Sequence, residues 1–531
     1  MLEPVYGIRA LTALAVQADP LPCAISRTKG LRLGGSGWFW LAAYVPNDVL
    51  CCMNTRLLLS LLATTACSLV ACKKSGTTPV PAPAGPTPVE VTLDAAKTYQ
   101  TMAGFGGFGA QDVYWSGGPF TSPRFVSDLV TDLGCTIIRD ELPTSFEIAN
   151  DNADPDVTDL AAYNLDKPVP GHHAPFMDRV PHLKALRAAG VEMFITSVWS
   201  PAPWMKWNNR IDNGTPNNSA PPYNKNPTTA SNQLKVENYA EFAELCVAYC
   251  RIFKREIGVD LYGLSVQNEP RFSQSYQSCV YDGEALRDVI KVVGRRFKKE
   301  GIATKLFLPE DVGWLDGVKS MTLPTLEDAE ARSYVGIVAT HGYALDGIAP
   351  ASTDAATWQT MASWGKPHNL PLWMTETSGY KNTSEGAISL AKAMYTSLRF
   401  GNVSAWVFWS LSTGNLDEYS LMDSKGGKSK RYYVSKQYYR YVRPGAVRVE
   451  TATADADLLP LAFVKDGLPT LVITNVGNAE KAIRVKGDGA SAQYKVFRTS
   501  PSENCKEIAT VKTGDSVAIP AQAVVTLVGV K

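Results

Sequence analysis

From Met102 onward the chain alternates between two textures. Short apolar runs rich in Val, Ile and aromatic residues predict buried strands, and segments with apolar positions every three or four residues predict amphipathic helices. Strands are expected near 103–108, 135–139, 192–197, 261–267, 305–308, 335–340, 372–375 and 405–409. The clearest helices are expected over 181–189, 236–256, 282–299 and 384–399, with Gly190 and Gly301 closing two of them. Strict alternation argues for a parallel sheet, and eight such units in roughly 340 residues fit a closed (β/α)8 barrel spanning 102–445.

The pattern changes on both sides of that block. Over 446–531, alternating runs such as 470–474, 482–485, 494–497 and 524–528 are separated by Gly, Asn, Asp and Pro turns, which reads as an antiparallel β-sandwich. The strand-like segment 89–101 precedes the barrel and is expected to complete that sandwich. Residues 1–52 show no sustained period and are read as lying upstream of the true start at Met53. From there MNTRLLLSLLATTACSLVAC lays out a secretory signal over 53–71, with Arg56, an apolar core and small residues before Cys72. The run Leu69-Val70-Ala71-Cys72 resembles a bacterial lipobox, which implies acylation of Cys72, an exported chain and a membrane contact through that lipid alone. Residues 72–88 form a Pro/Gly-rich tether.

Composition then narrows the function classes. The 531 residues carry a formal charge of +1 without long basic runs, so nothing marks a nucleic-acid or anionic membrane surface. The 12 Trp and 22 Tyr favour a flat, partly apolar ligand such as a sugar, although packing absorbs many aromatics. Cys246 and Cys250 lie one helical turn apart, but no CxxC pair with a His partner suggests a metal site, and adjacent His172 and His173 are expected to point different ways. No cofactor and no partner beyond a glycan are implied, and a monomer is expected.

Two stretches concentrate the chemistry. Residues 261–270 (LYGLSVQNEP) are an apolar run stopping at Asn268 and Glu269, and 370–377 (LPLWMTET) stops in the same way at Glu376. Residues just past barrel strands form the active-site rim, so both carboxylates belong to one cup. The same reasoning adds Arg139 with Asp140 and Glu141, Trp199, Trp204, Glu310 with Asp311, His341, Tyr343 and Trp409. Glycoside cleavage asks for that set: one acid, one nucleophilic or stabilising carboxylate, and aromatic platforms. Duller readings stand beside these. Arg139 could pair with Asp140 or Glu141, the three indoles could be packing, and His341 could merely support its neighbours; Glu310 and Asp311 lack motif support, could cap the next helix and are read as structural. A literal G-x-G-x-x-G at 104–109 is not a nucleotide fingerprint, because AQDVYWSGGPF does not open a helix; the glycines are expected to admit a sugar.

Five ordered motifs then resemble glycoside hydrolase family 30: GFGGFG at 104–109, SVWSPAPWMK at 197–206, SVQNEP at 265–270, LWMTET at 372–377 and KRYYVSKQYYRYVRPGAVRV at 430–449. The resemblance implies a retaining β-glycosidase with Glu269 as acid/base, Glu376 as nucleophile, and a side β-sandwich built from both chain ends. The family includes enzymes resembling glucosylceramidases, glucuronoxylan xylanases and β-1,6-glucanases or galactanases. SYQSCVY at 275–281 is reminiscent of the xylanase branch. Its glucuronic-acid-reading members carry an Arg after the eighth strand, whereas 410–421 here has no Arg or Lys. A xylan-type polysaccharide is therefore expected, with recognition of a charged side group in doubt. The competing classes are a metal-dependent barrel enzyme using Asp140, Glu269, Glu310 and Glu376, and a non-catalytic glycan-binding lipoprotein gripping its ligand with Trp199, Trp204 and Trp409.

Overall fold

The computed structural model describes residues 87–109, 122–312, 316–343 and 354–531. The expected signal, most of the tether, Cys72 and the segment 110–121 after the glycine run lie outside the described residues. The chain enters through β1 (Val89–Thr101) and then builds a barrel from β2 (Gly104–Phe108), β3 (Ile137–Glu141), β4 (Met193–Ser197), β5 (Gly263–Ser265), β6 (Lys305–Asp311), β7 (Val335–His341), β8 (Leu372–Glu376) and β9 (Ala405–Phe408). Each strand pairs in parallel with the next, and β2 pairs with β9 to close the ring. All eight lie where the apolar runs predict them, because strands covered on both faces must be apolar nearly throughout.

Helices Phe176–Ala188, Tyr239–Ile257, Gly283–Glu300 and Ser384–Phe400 supply much of the outer layer. Gly301 ends one of them at φ 67°, a left-handed cap that glycine adopts without a Cβ penalty. One boundary departs from expectation. The helix predicted to begin at Pro181 begins at Phe176 and carries the proline inside it. Burial of Val180, Leu183 and Leu186 against the barrel offsets the missing N–H.

Strands β10 (Val447–Thr453), β11 (Leu458–Lys465), β12 (Leu468–Asn475), β13 (Lys481–Asp488), β14 (Gln493–Thr499), β15 (Lys506–Lys512), β16 (Val517–Ile519) and β17 (Ala523–Val530) join β1 in a nine-stranded sheet. Its order is β15-β14-β17-β12-β11-β10-β1-β13-β16. Val496, Leu527 and Leu471 on the neighbouring β14, β17 and β12 share one apolar cluster with Leu93 and Ile483 on β1 and β13, beyond β11 and β10 in that order, so the sheet wraps around its own core. The sheet is antiparallel except where β1 lies parallel to β13, since β1 arrives from the opposite end of the chain. Helix Lys430–Tyr439 locks this sheet to the barrel. Tyr439 Oη donates to the Gly106 carbonyl at 3.0 Å, and Gln437 Nε2 donates to Thr499 Oγ1 at 2.9 Å.

Cys135, Cys246, Cys250, Cys279 and Cys505 are all buried thiols without disulfide partners. No helix among the described residues is long and apolar enough to cross a membrane.

Candidate active site

Side chains alternate across a strand, so every second residue of each stave points into the barrel. On β7 the inward series is Ile337, Ala339, His341; on β3 it is Ile137, then Arg139; on β9 it is Ala405, Val407, then Trp409 just past the strand end. The lower members form a dry plug with Ile195, Phe307 and Trp373. The upper members are charged or aromatic and meet above it.

Arg139 stands at the centre and is fully buried. Its Nη1 lies 2.5 Å from Glu376 Oε2, its Nη2 lies 2.6 Å from Asn268 Oδ1 and 3.2 Å from Glu310 Oε1, and its Nε donates to Ser197 Oγ at 3.2 Å. Ser197 in turn donates to Glu310 Oε2 at 2.5 Å. His341 places Nδ1 3.1 Å from Glu269 Oε1, while Nε2 faces Glu310 at 3.7 Å and Glu376 at 3.9 Å. One oxygen each of Glu269 and Glu376 and one nitrogen of His341 all lie within 4.8 Å of one another. Glu269 keeps 6% and Glu376 7% of its surface open, whereas Arg139, Glu310 and His341 keep none. The two glutamates are thus the acidic members of the cluster that solvent, or a substrate, can reach.

The electrostatics follow from burial against this set of neighbours. Burial pushes the Glu376 carboxyl up, the His341 and Arg139 charges pull it back, and the Glu269 carboxylate adds to the rise. For Glu310 burial also opposes ionisation, but Arg139, then His341 and Ser197, hold it down at about 2. Burial opposes the His341 charge, yet Glu376, Glu269 and Glu310 together lift it to about 10, so the ring is an imidazolium at neutral pH. Burial pushes the Tyr343 phenol far up, with Glu376 and Glu269 acting in the same direction. Its hydroxyl lies 3.0 Å from Ser378 Oγ.

The structure therefore brings Arg139, Asn268, Glu269, His341, Tyr343 and Glu376 together. Trp199 and Trp409 flank them: the Arg139 guanidinium sits 4.8 Å from the centre of the Trp199 ring, and Trp409, half-buried, packs 4.3 Å from Phe108 and 5.8 Å from Trp199. Trp204 is partly buried against the apolar core around the barrel. Arg139 does not pair with Asp140 or Glu141; both belong to Arg179, at 3.3 and 3.0 Å. Adjacent His172 and His173 diverge to Thr144 and Glu141, as expected of neighbours in a loop.

Two further readings are corrected. Glu310 caps no helix but lies inside the site, because β6 carries a register shift between Pro309 and Asp311 and the Glu310 backbone turns left-handed at φ 52°. Strict alternation cannot reveal a side chain that a bulge re-aims. The glycines at 104–109 admit neighbouring chain and not a sugar: a Cβ on Gly106 would lie 1.7 Å from the Ile137 carbonyl oxygen, and one on Gly107 2.7 Å from Leu411. Gln274 was not legible either. It lies in an irregular loop and donates from Nε2 to Glu269 Oε2 at 2.7 Å.

Among the described residues, Glu269, His341 and Glu376 are the group with metal-ligand spacing. The guanidinium on Glu376 and the imidazolium on Glu269 already supply the positive charge a cation would bring there, and Asp140 is turned away toward Arg179. The arrangement suits two reachable carboxyl groups working across a small gap, one of them anchored by a permanent cation.

No protein-family model matches the chain. It is 26% identical over 325 residues to glucuronoxylanase XynC of Bacillus subtilis, an alignment covering 59% of this chain and 71% of that protein. It is 24% identical over 304 residues to the endo-1,6-beta-D-glucanase neg1 of Aspergillus fumigatus, covering 52% and 58%. The solved GH30 endoxylanase from Clostridium papyrosolvens C71 superposes with a TM-score of 0.65 at 24% identity, over 83% of this chain and 100% of that one.

Proposed function

We propose that this chain is a glycoside hydrolase of family 30 that cleaves a xylan-type polysaccharide with retention, using Glu376 as nucleophile and Glu269 as acid/base, a reading supported by the glucuronoxylanase relative and the shared barrel fold. The observation that carries the reading is the closeness of the two reachable carboxylates, whose nearest oxygens lie within 4.8 Å. A gap of about 5–5.5 Å suits direct attack on the anomeric carbon, whereas about 6.5–9.5 Å would leave room for an inverting water.

In the first step Glu376, steadied by Arg139, forms an ester to the anomeric carbon as Glu269 passes its proton to the departing glycosidic oxygen. In the second, Glu269 takes a proton from water, which attacks the same carbon and releases Glu376. Arg139 loses its Glu376 counter-charge in the ester but keeps Glu310, so the cation stays paired throughout. The pair works with one proton between its members, since two adjacent carboxylates do not ionise with equal ease.

The xylan assignment leans on the glucuronoxylanase relative and on the loop 410–421. That loop has no Lys or Arg, and the nearby Arg431 is fully buried with its Nη2 donating to the Ser420 carbonyl at 2.9 Å, so it is spent on the loop's own backbone. An uncharged xylan backbone fits this better than a glucuronate side group. We also read the mature chain as an exported monomer, lipid-anchored at Cys72.

Product analysis on plain xylan, glucuronoxylan, β-1,6-glucan and β-1,6-galactan tests the substrate. Oligosaccharides released from plain xylan, with retained configuration by NMR, are expected. Release from either β-1,6-linked polymer alone would move the assignment to that linkage, and no release by any of the four would favour the glycan-binding reading.

A further inference from the structure

Glu269 accepts on both oxygens, from His341 at 3.1 Å and from Gln274 at 2.7 Å. The Gln274 side of that clamp is built with unusual care. Gln274 is buried, its backbone N–H donates to Ser278 Oγ at 2.9 Å, and its carbonyl accepts from the Asn213 N–H at 3.0 Å. Ser278 Oγ also accepts from Asn232 Nδ2 at 2.9 Å. Behind this loop stands Lys206, fully buried, whose ammonium donates to the Ser278 carbonyl at 2.7 Å and to Ser200 Oγ at 3.0 Å. No carboxylate among the described residues pairs with it. A buried ammonium held only by neutral acceptors costs several kcal/mol, and a plain loop strut does not require one.

We propose, on the strength of the glycosidase reading above, that Gln274 is the positioning residue of the acid/base and that Lys206 holds Gln274 on Glu269 by bracing the loop 273–278. An amide suits that place because it serves both protonation states of its partner: the NH2 donates to a carboxylate, and the C=O accepts from a carboxylic acid after the amide turns over. A second cation there would pin Glu269 as the anion and deprive the leaving group of its proton. Lys206, the last residue of SVWSPAPWMK, thereby gains a role at the site although it touches no substrate.

The test separates acid assistance from general support of the fold. Lys206→Met and Gln274→Leu are assayed on xylotetraose, whose leaving sugar needs a proton, and on 2,4-dinitrophenyl β-xylobioside, whose leaving group does not. General-acid help is worth roughly 100- to 10,000-fold, so loss of its positioning is expected to lower kcat/KM on xylotetraose by about tenfold or more while changing the dinitrophenyl substrate by less than about threefold. Equal losses on both substrates, or no loss on either, would overturn the assignment. Should Gln274→Leu not fold by thermal melting, Lys206→Met alone decides, since it leaves Gln274 in the chain. If the wild-type chain hydrolyses neither compound while hydrolysing another glycan, the xylan reading fails, and the same two variants are assayed on that glycan and its dinitrophenyl glycoside.

Discussion

At one end of the barrel interior Ile137, Ile195, Phe307, Ile337, Ala339, Trp373, Ala405 and Val407 form a dry plug. Two residues further along the same strands stand Arg139, Ser197, His341 and Trp409, with Glu310, Glu269 and Glu376 between them. The backbone is continuous across the two ends, yet one end stores stability and the other holds charge taken out of water. A charged cluster of this kind is held together by completeness: each carboxylate has a cation or a donor, and removing one member leaves the others buried and unpaired. The plug has no such interdependence, and its contribution grows with the apolar area it removes from water.

The sharpest way to separate the ends is to alter the chemistry without touching the plug. Glu376→Gln should lower turnover on the order of 10⁵-fold, measured as reducing-sugar release, while unfolding loses only about 1–3 kcal/mol because Arg139 keeps Glu310. A comparable drop in both would mean that the ends are not independent. The converse change, Trp373→Ala, should cost about 3–5 kcal/mol in denaturant unfolding through the cavity it leaves, with kcat of the folded fraction close to wild type. Between them lies Glu310→Gln, which keeps the shape but takes the second counter-charge from Arg139; a loss of about 1–3 kcal/mol together with reduced turnover is expected. Unchanged kinetics would remove Glu310 from the working site.

The smallest effects concern pH. Glu310 is held at about 2, below its ordinary 4.5, so its contribution to stability is complete above the ordinary carboxylate range and is lost as pH falls toward 2. Glu310→Gln should flatten the stability curve over that window, by at most about 3 kcal/mol. Burial moves Glu376 the other way, so the acid limb of a bell-shaped kcat/KM profile should lie above the range of an ordinary glutamate, and the basic limb should mark loss of the pair's remaining proton. A profile rising or falling in one direction only would contradict a shared proton.

How much of this was legible in the chain depends on whether local pattern or distant contact aims each residue. Glu269 and Glu376 stand where apolar runs stop, a mark that any parallel barrel leaves at its rim, and Arg139 and His341 fall on the inward step of their strands. Glu310 was misread because a bulge, invisible to period-two counting, turns it inward. Gln274 and Lys206 were missed because they sit in loops whose course is set by hydrogen bonds to other loops. Trp204 is partly buried against the outer core, a contact that its place after a strand end does not reveal. The glycines of 104–109 looked like room for a ligand and prove to be room for Ile137 and Leu411.

The order and period of apolar residues alone determined the barrel, the sheet built from both chain ends and the two carboxylates, since burying an apolar face is a local demand that recurs along the chain. Which cation meets which carboxylate was decided only by the closed barrel, because Arg139 finds Glu376 237 residues away, and a Coulomb interaction depends on distance in space and on the loss of water around it, neither of which is written in sequence spacing.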